Sequence, residues 1–305
     1  MEEYAVANRQ KPSTVDHKTW MLKAHLLPAL GTLRLDQITD ERIQRIKASL
    51  ADRNAKTVNN VLCTLNVLLK TALTWGVIER MPCTIRQMKV THMDMAFYDF
   101  ADYERLVAAA AKIDWKVQAL VLLGGDAGLR RGEIIALEWS DIDPKRKTLS
   151  IKRSEWKGKV TLPKGGRPRR VPMTTRLADL LAKHRHLKGA RVFYRENQEP
   201  LTGKAVRIWI MQAEKRAQMP QTAKVHILRH SFCSHLAMRG ATLLDIKELA
   251  GHTSVMTTQR YMHLSPQSAD KAIRLLDEGR AADIAREEKV ARGDAGETAP
   301  LAIVK

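Results

Sequence analysis

Aromatic side chains, cysteine and long apolar runs are all scarce in this chain. Four Phe, six Trp and five Tyr among 305 residues disfavour recognition of single-stranded nucleic acid, which rests on stacked bases. Cys63, Cys83 and Cys233 are scattered through apolar surroundings and read as reduced thiols of a cytoplasmic protein, neither disulfides nor a metal site. No apolar stretch is long enough to cross a bilayer and no N-terminal signal pattern is visible, so no membrane role is expected. A phosphate-cradling glycine loop and an acidic metal-binding cluster are also missing, and neither a cofactor nor a metal is expected. Acidic residues are outnumbered: 33 Asp and Glu stand against 52 Lys and Arg, a formal charge of +19. A surplus of that size points to a polyanion, most often nucleic acid.

A chain of 305 residues has room for about two domains. Residues 1–12 are polar and aperiodic and read as a flexible arm. Residues 13–83 read as an all-helical domain. Ser13 is its first N-cap, Pro28 and Gly31 break the first helix, and Thr39 caps the second. A long third helix over 57–75 carries Val58, Val61, Leu62, Leu65, Leu69 and Ala72 on its apolar side. Residues 84–98 lack a period and read as a linker. From 99 to 276 helical and strand patterns mix. Residues 141–144 read as a turn, and strands are expected around 149–151, 160–162 and 171. The expected fold is mainly α with a small antiparallel β-sheet. The tail, 277–305, is set apart from the basic body by seven acidic against four basic residues over 277–298, and reads as partly disordered before the apolar patch at 301–304.

The cations cluster. Residues 145–170 hold eleven Lys or Arg and one acid, Glu155, which makes this the strongest local signal for a phosphate backbone. Lys152, Arg153, Lys157, Lys159, Arg167 and Arg169 are its candidate contacts. Lys164 precedes Gly165-Gly166, read as a hairpin tip; spacing alone does not separate a chemical role for Lys164 from simple charge neutralisation.

The most informative stretch runs from His226 to Tyr261. His226 and Arg229 stand one helical turn apart and can face one ligand. Gly240 and Gly251 read as helix ends, which puts His252 just beyond a helix and Tyr261 near the next. A guanidinium, two imidazoles and a phenol can so converge, a set that suits a phosphodiester: arginine grips oxygens in a planar fork, imidazole moves protons, and a phenol can attack phosphorus. His226 and His230 have the spacing of a zinc pair, but the Glu such a pair needs beside its first His is replaced by Ile227, and no third ligand is in view.

The run H-x-L-R-H, then L-x-G-H, then Tyr261, with G-L-R-x-x-E upstream at Gly128, Leu129, Arg130 and Glu133, resembles the tyrosine recombinases, the phage integrase family. Ile227 departs from it, since many members carry an acid there. The resemblance extends over nearly all of the chain past residue 12. It implies a helical, SAM-like core-binding domain followed by a mixed α/β catalytic domain of the DNA breaking-rejoining type. It implies a site-specific recombinase whose catalytic residues are Arg130, Lys164, His226, Arg229, His252 and Tyr261, with Glu133 in support. Tyr261 would attack a DNA phosphate to form a 3′-phosphotyrosyl bond. Arg130 and Arg229 would hold the phosphate, Lys164 would protonate the leaving oxygen, His226 would assist proton transfer from Tyr261, and His252 would donate to the phosphate. Neither metal nor ATP enters. The implied partner is double-stranded DNA at a specific site, bound by a tetramer on paired sites, with the tail docking on a neighbouring protomer. The implied location is cytoplasmic, on the nucleoid when bound, and no separate arm-binding domain is expected ahead of residue 13. Two other readings stand beside this one. A sequence-specific DNA-binding protein that no longer recombines would need no aligned phenol. A type IB topoisomerase shares the chemistry but would not need the small helical domain or an exchange tail.

The charge cluster generates a first prediction. Affinity for duplex DNA should fall steeply with salt, and replacing Lys152, Arg153, Arg167 and Arg169 with Ala should flatten the plot of log affinity against log salt concentration. An unchanged slope in a titration at several salt concentrations would remove this segment from the interface.

Overall fold

The computed structural model describes residues 2–90, 95–195, 197, 199–265, 273, 274 and 284. The fold is mainly helical with small antiparallel sheets, and it divides into two units: residues 1–96 with 153–162, and residues 97–152 with 163–305.

The first unit contains α1 (Glu2–Ala7), α2 (Pro12–Met21), α3 (Leu27–Leu30), α4 (Asp40–Ser49) and α5 (Ala55–Thr74). Helix α5 starts before the expected residue 57, because the Asn54 side chain accepts the Thr57 N–H at 2.8 Å and caps it. Its Val58, Val61, Leu62, Leu65 and Leu69 pack with Ile43 and Ile46 of α4 and with Met21, Leu26 and Leu30 in one core. Three local expectations fail. Residues 2–7, placed in a flexible arm, are helical, and Ala5 is buried. Pro12 opens α2 in place of Ser13, since its fixed φ suits a first helical position whose N–H needs no partner. Pro28 does not end the first helical segment: the chain makes a π-turn over Leu22–Leu26, and α3 then carries Pro28 in its opening turn, where the missing N–H costs nothing.

The second unit is built on α6 (Phe100–Ala111), α7 (Trp115–Gly125), α8 (Arg131–Ile135), α9 (Thr175–Lys183), α10 (Gly203–Arg216), α11 (Val225–Met238), α12 (Leu243–Ala250) and α13 (Val255–Gln259). Helix α7 is apolar on every side, with Val117, Ala119, Leu120, Val121, Leu122 and Leu123 all buried. A helix without a polar face goes to the centre, and α6, α9, α10 and α11 pack around it. Tyr98 joins this core; its N–H donates to Ser231 Oγ and its hydroxyl to Glu214 Oε1, each at 2.8 Å.

Five short strands follow α8: β1 (Ile142–Asp143), β2 (Thr148–Ile151), β3 (Ser154–Trp156), β4 (Lys159–Thr161) and β5 (Arg169–Pro172). Strands β1, β2 and β5 form an antiparallel sheet in that order, with Leu149 opposite Val171. Strands β3 and β4 pair by themselves and fall in the first unit. Three strand expectations need correcting. Residues 142 and 143, read as part of a turn, are strand β1. The hairpin tip is Lys157-Gly158, not Gly165-Gly166: both tip residues have positive φ (48° and 78°), as a two-residue hairpin turn of this kind requires. Val160 and Leu162 alternate as if one face were buried, yet both are exposed. A lone two-stranded ribbon gives that alternation no core to face.

The end of the mixed region past residue 265 and the tail to residue 305 lie outside the described residues, apart from 273, 274 and 284.

Two glycines set the turns that matter. Gly251 ends α12 at φ +64°, and a Cβ there would lie 2.8 Å from Arg169 Cδ. Gly128, at φ +62°, precedes α8, and a Cβ there would lie 2.4 Å from the Phe232 ring. Gly251→Ala should therefore lower unfolding stability by about 1–2 kcal/mol from the left-handed backbone alone. Chemical denaturation of the variant checks this; unchanged stability would show that the turn can relax.

Candidate active site

The site grows from the C-terminal end of α12. A helix leaves its last carbonyls without partners, and here three consecutive ones each accept from a different arginine. Arg169 Nε of β5 donates to Leu249 O at 3.1 Å, Arg229 Nη2 of α11 donates to Ala250 O, and Arg130 Nη2, just before α8, donates to Gly251 O at 2.7 Å. Arg229 is buried and also donates to Gly128 O. The partial negative charge of a helix C-terminus favours such cations.

Glu133 ties two of the three together. Its carboxylate is fully buried and receives Arg169 through both oxygens, at 3.0 and 2.8 Å. Arg130 Nη1 donates to it at 2.9 Å, and the Arg130 backbone N–H at 2.9 Å closes the first turn of α8. Burial alone would raise the Glu133 carboxyl; the hydrogen bonds and charges of Arg169 and Arg130 outweigh it and hold it at about 2. One carboxylate thus faces three guanidinium groups, and net positive charge remains. Arg229 registers it: burial, then the Arg130 charge, push its guanidinium down to about 10. An arriving anion would offset the excess positive charge.

The remaining groups gather at the same end. His226, Arg229, His230 and Cys233 occupy positions i, i+3, i+4 and i+7 of α11 and form one stripe. Tyr261 follows α13 and is 3% exposed; its hydroxyl lies 2.7 Å from His230 Nδ1. The His252 ring stacks on the Tyr261 ring with centroids 6.3 Å apart, and its Nδ1 is 2.9 Å from Thr258 Oγ1, which leaves Nε2 to meet a ligand. Burial, followed by the charges of Arg229 and Arg130, holds His252 at about 3; burial, followed by His226 and Arg229, holds His230 at about 4. His226 is also lowered, first by burial. All three are therefore neutral at pH 7, each able to donate from one nitrogen and accept at the other. Burial holds the Tyr261 hydroxyl well above the ordinary phenol range, so it carries its proton.

Arg130, Glu133, Arg229, His252 and Tyr261 are thus brought to one place. His226 shares their helix face but makes no hydrogen bond to Tyr261 among the described residues; its ring lies 6.4 Å from that of His230. Lys164 is exposed on the turn over 164–166. Gly165 of that turn abuts Thr253, next to His252, and the Lys164 charge is among those lowering His226. The surface cations are less uniform than the sequence suggests. Lys152, Lys159 and Arg167 are exposed, with Lys152 3.6 Å from Asp141. Lys157 pairs with Asp16 at 3.2 Å and lies over the Trp156 ring, and Arg153 is half-buried. Arg169 differs most from expectation. It was placed among the DNA contacts, but its guanidinium is engaged by Glu133 and Leu249, so replacing it strips Glu133 of a partner, and the salt experiment belongs with Lys152, Lys159 and Arg167. Strand alternation would have found this, since Arg169 shares its face of β5 with the buried Val171. His230 and Cys233 were also missed; the i+4 and i+7 positions from His226 were the available signal. No three His, Cys, Asp or Glu side chains gather as metal ligands among the described residues.

Comparison with known proteins gives the family and the fold. The pattern of the Phage integrase family matches residues 97–268, and that of the phage integrase N-terminal SAM-like domain matches residues 1–50. A tyrosine recombinase XerC-like protein of Caldanaerobacter subterraneus is 24% identical over 294 residues, covering 81% of this chain and 72% of its own. Tyrosine recombinase XerC of Xanthomonas campestris is 33% identical over 169 residues; that match spans 54% of this chain and about half (49%) of the relative. The fold is similar to that of the Tn1549 transposon integrase solved with transposon right-end DNA, at a TM-score of 0.75 and 18% identity over 92% of this chain and 97% of the other. The chain belongs to the phage integrase family and is a tyrosine-type site-specific recombinase.

Proposed function

We propose that the protein cleaves and rejoins double-stranded DNA at a specific site through a covalent 3′-phosphotyrosyl intermediate on Tyr261. The observation that carries this reading is the convergence at the end of α12: a protonated phenol, a neutral imidazole stacked on it, and two arginines whose backbone contacts fix their direction. Arg130 and Arg229 each keep N–H groups beyond those given to carbonyls and to Glu133, and these meet the non-bridging oxygens of the phosphate. The clamp is set before the reaction begins, so charge that develops on phosphorus meets donors that need not reorganise. His252 donates from Nε2. Lys164 protonates the departing 5′ oxygen. The phosphotyrosyl bond conserves the energy of the cleaved bond, and attack by the 5′-hydroxyl of a partner strand reverses the step, without ATP or metal.

The wider assignments follow the same reading. Residues 13–83 serve as a core-binding domain, 84–98 as a linker and 99–276 as the catalytic domain, with a tetramer assembled on paired sites and the tail from 277 docking on a neighbour. The exposed Lys152, Lys159 and Arg167, with Lys157 at the ribbon tip, hold the backbone. The location is the cytoplasm, on the nucleoid when bound. The Tn1549 integrase solved with transposon DNA supports duplex DNA as the partner.

Tyr261→Phe removes one oxygen and leaves the ring in place. It should keep binding DNA and lose about 1 kcal/mol of stability with its hydrogen bond. On a nicked substrate whose cleaved fragment diffuses away, the wild-type protein should be trapped on the 3′-phosphate and the Phe variant should give no adduct. Arg130→Ala and Arg229→Ala should each slow adduct formation by roughly 10²–10³-fold, the usual effect of removing one such donor. An adduct that peptide mapping places on Tyr194 or Tyr98 would show the nucleophile to be misassigned.

A further inference from the structure

His230 has no part in the chemistry described so far, yet it touches the oxygen on which that chemistry turns. Its Nδ1 lies 2.7 Å from the Tyr261 hydroxyl, within direct proton-transfer distance. His226, the residue expected to assist this transfer, makes no such contact among the described residues. The contact is built into the helix. From Arg229, whose guanidinium is fixed by Gly128 and Ala250, the next residue of α11 is His230, and Cys233, one turn on, also contacts the Tyr261 hydroxyl. From this geometry we infer that His230 is the general base for the nucleophile, a reading that rests on Tyr261 as the attacking residue.

The Tyr261 Oη–P bond forms as the P–O5′ bond breaks. The Tyr261 proton passes to His230 Nδ1, and the leaving O5′ takes its proton from Lys164. In the reverse step the incoming 5′-hydroxyl gives its proton to the Lys164 amine as it attacks phosphorus, the Tyr261 Oη–P bond breaks, and His230 returns its proton to Tyr261. This requires Nδ1 to be unprotonated at rest, with the ring hydrogen on Nε2. The groups facing the imidazole agree with that. His226 and Arg229 on its own helix, Arg260 beside Tyr261, and His252 across the site add positive charge or none, and Cys233 stays protonated because burial raises its thiol. In those surroundings the ring is held neutral at about 4, so its lone pair is available throughout the physiological range. The phenol, by contrast, keeps its proton because burial raises it, so attack needs an acceptor within reach.

The test uses the whole chain on the nicked substrate. His230→Asn places an amide near the Nδ1 position, which can still hydrogen-bond Tyr261 but cannot take its proton. DNA binding and melting temperature should stay near wild type. Adduct formation at pH 7 should fall by roughly 10²–10³-fold, within the usual range for a lost general base. The deficit should shrink at high pH, where hydroxide can take the phenol proton in place of His230, while the wild-type rate stays nearly flat from pH 6 to 9. A substrate with sulfur in place of the bridging 5′ oxygen supplies a leaving group that needs no acid. It should rescue Lys164→Ala and leave His230→Asn impaired. Rescue of His230→Asn by sulfur, a deficit equal at every pH, or a wild-type rate in that variant would each overturn the assignment of His230 while leaving Tyr261 as nucleophile. Absence of a wild-type adduct on Tyr261 would instead overturn the underlying reading, and this inference with it.

Discussion

Three carbonyl groups at the end of α12 hold this site in place. Leu249, Ala250 and Gly251 would otherwise end a helix with bare acceptors; each takes one guanidinium, from β5, α11 and the turn before α8. Three like charges would repel one another if free to move. Fixed on consecutive carbonyls, with Arg130 and Arg169 also joined through Glu133, they cannot separate, and their excess charge points at whatever anion arrives. Gly251 is needed twice over: its backbone is left-handed, and Arg169 packs where a side chain would stand.

That constraint explains the protonation states around it. Burial first, and then the positive charge of a site with one carboxylate and three arginines, hold the imidazoles beside it neutral and usable as donors and acceptors. The same burial keeps the phenol protonated. The proposed phosphate chemistry would draw on a rigid cation clamp together with neutral groups able to move protons, and the fold presents both from one helix terminus and one stripe of α11.

Much of this was legible as spacing. The stripe on α11 follows from the helical period, and Gly251 followed by His252 announces a helix end and the residue just beyond it. Arg130 with Glu133 three residues on reads as the opening of a helix. The misses have physical causes. Pro28 read as a stop, but a π-turn shifted the hydrogen-bond register ahead of it. Val160 and Leu162 alternate like a buried strand, but alternation says which residues share a face and not whether a core covers it. The cations of 145–170 read as one patch, although the pleat turns Arg169 inward beside Val171 and leaves Arg170 outside.

By itself, then, the sequence determined the helical class, the order of the elements, the basic character of the chain, and the residue types that converge between 226 and 261, because these depend on neighbours within a turn or two. Only the tertiary structure decided who partners whom. Arg169 and Glu133 are separated by 36 residues and Arg130 and Gly251 by 121, and nothing local marks either pair. The pairing of Tyr261 with His230 over His226, across 31 residues, was settled the same way: both histidines lie on one face of α11, and the turn after α13 brings the phenol to only one of them.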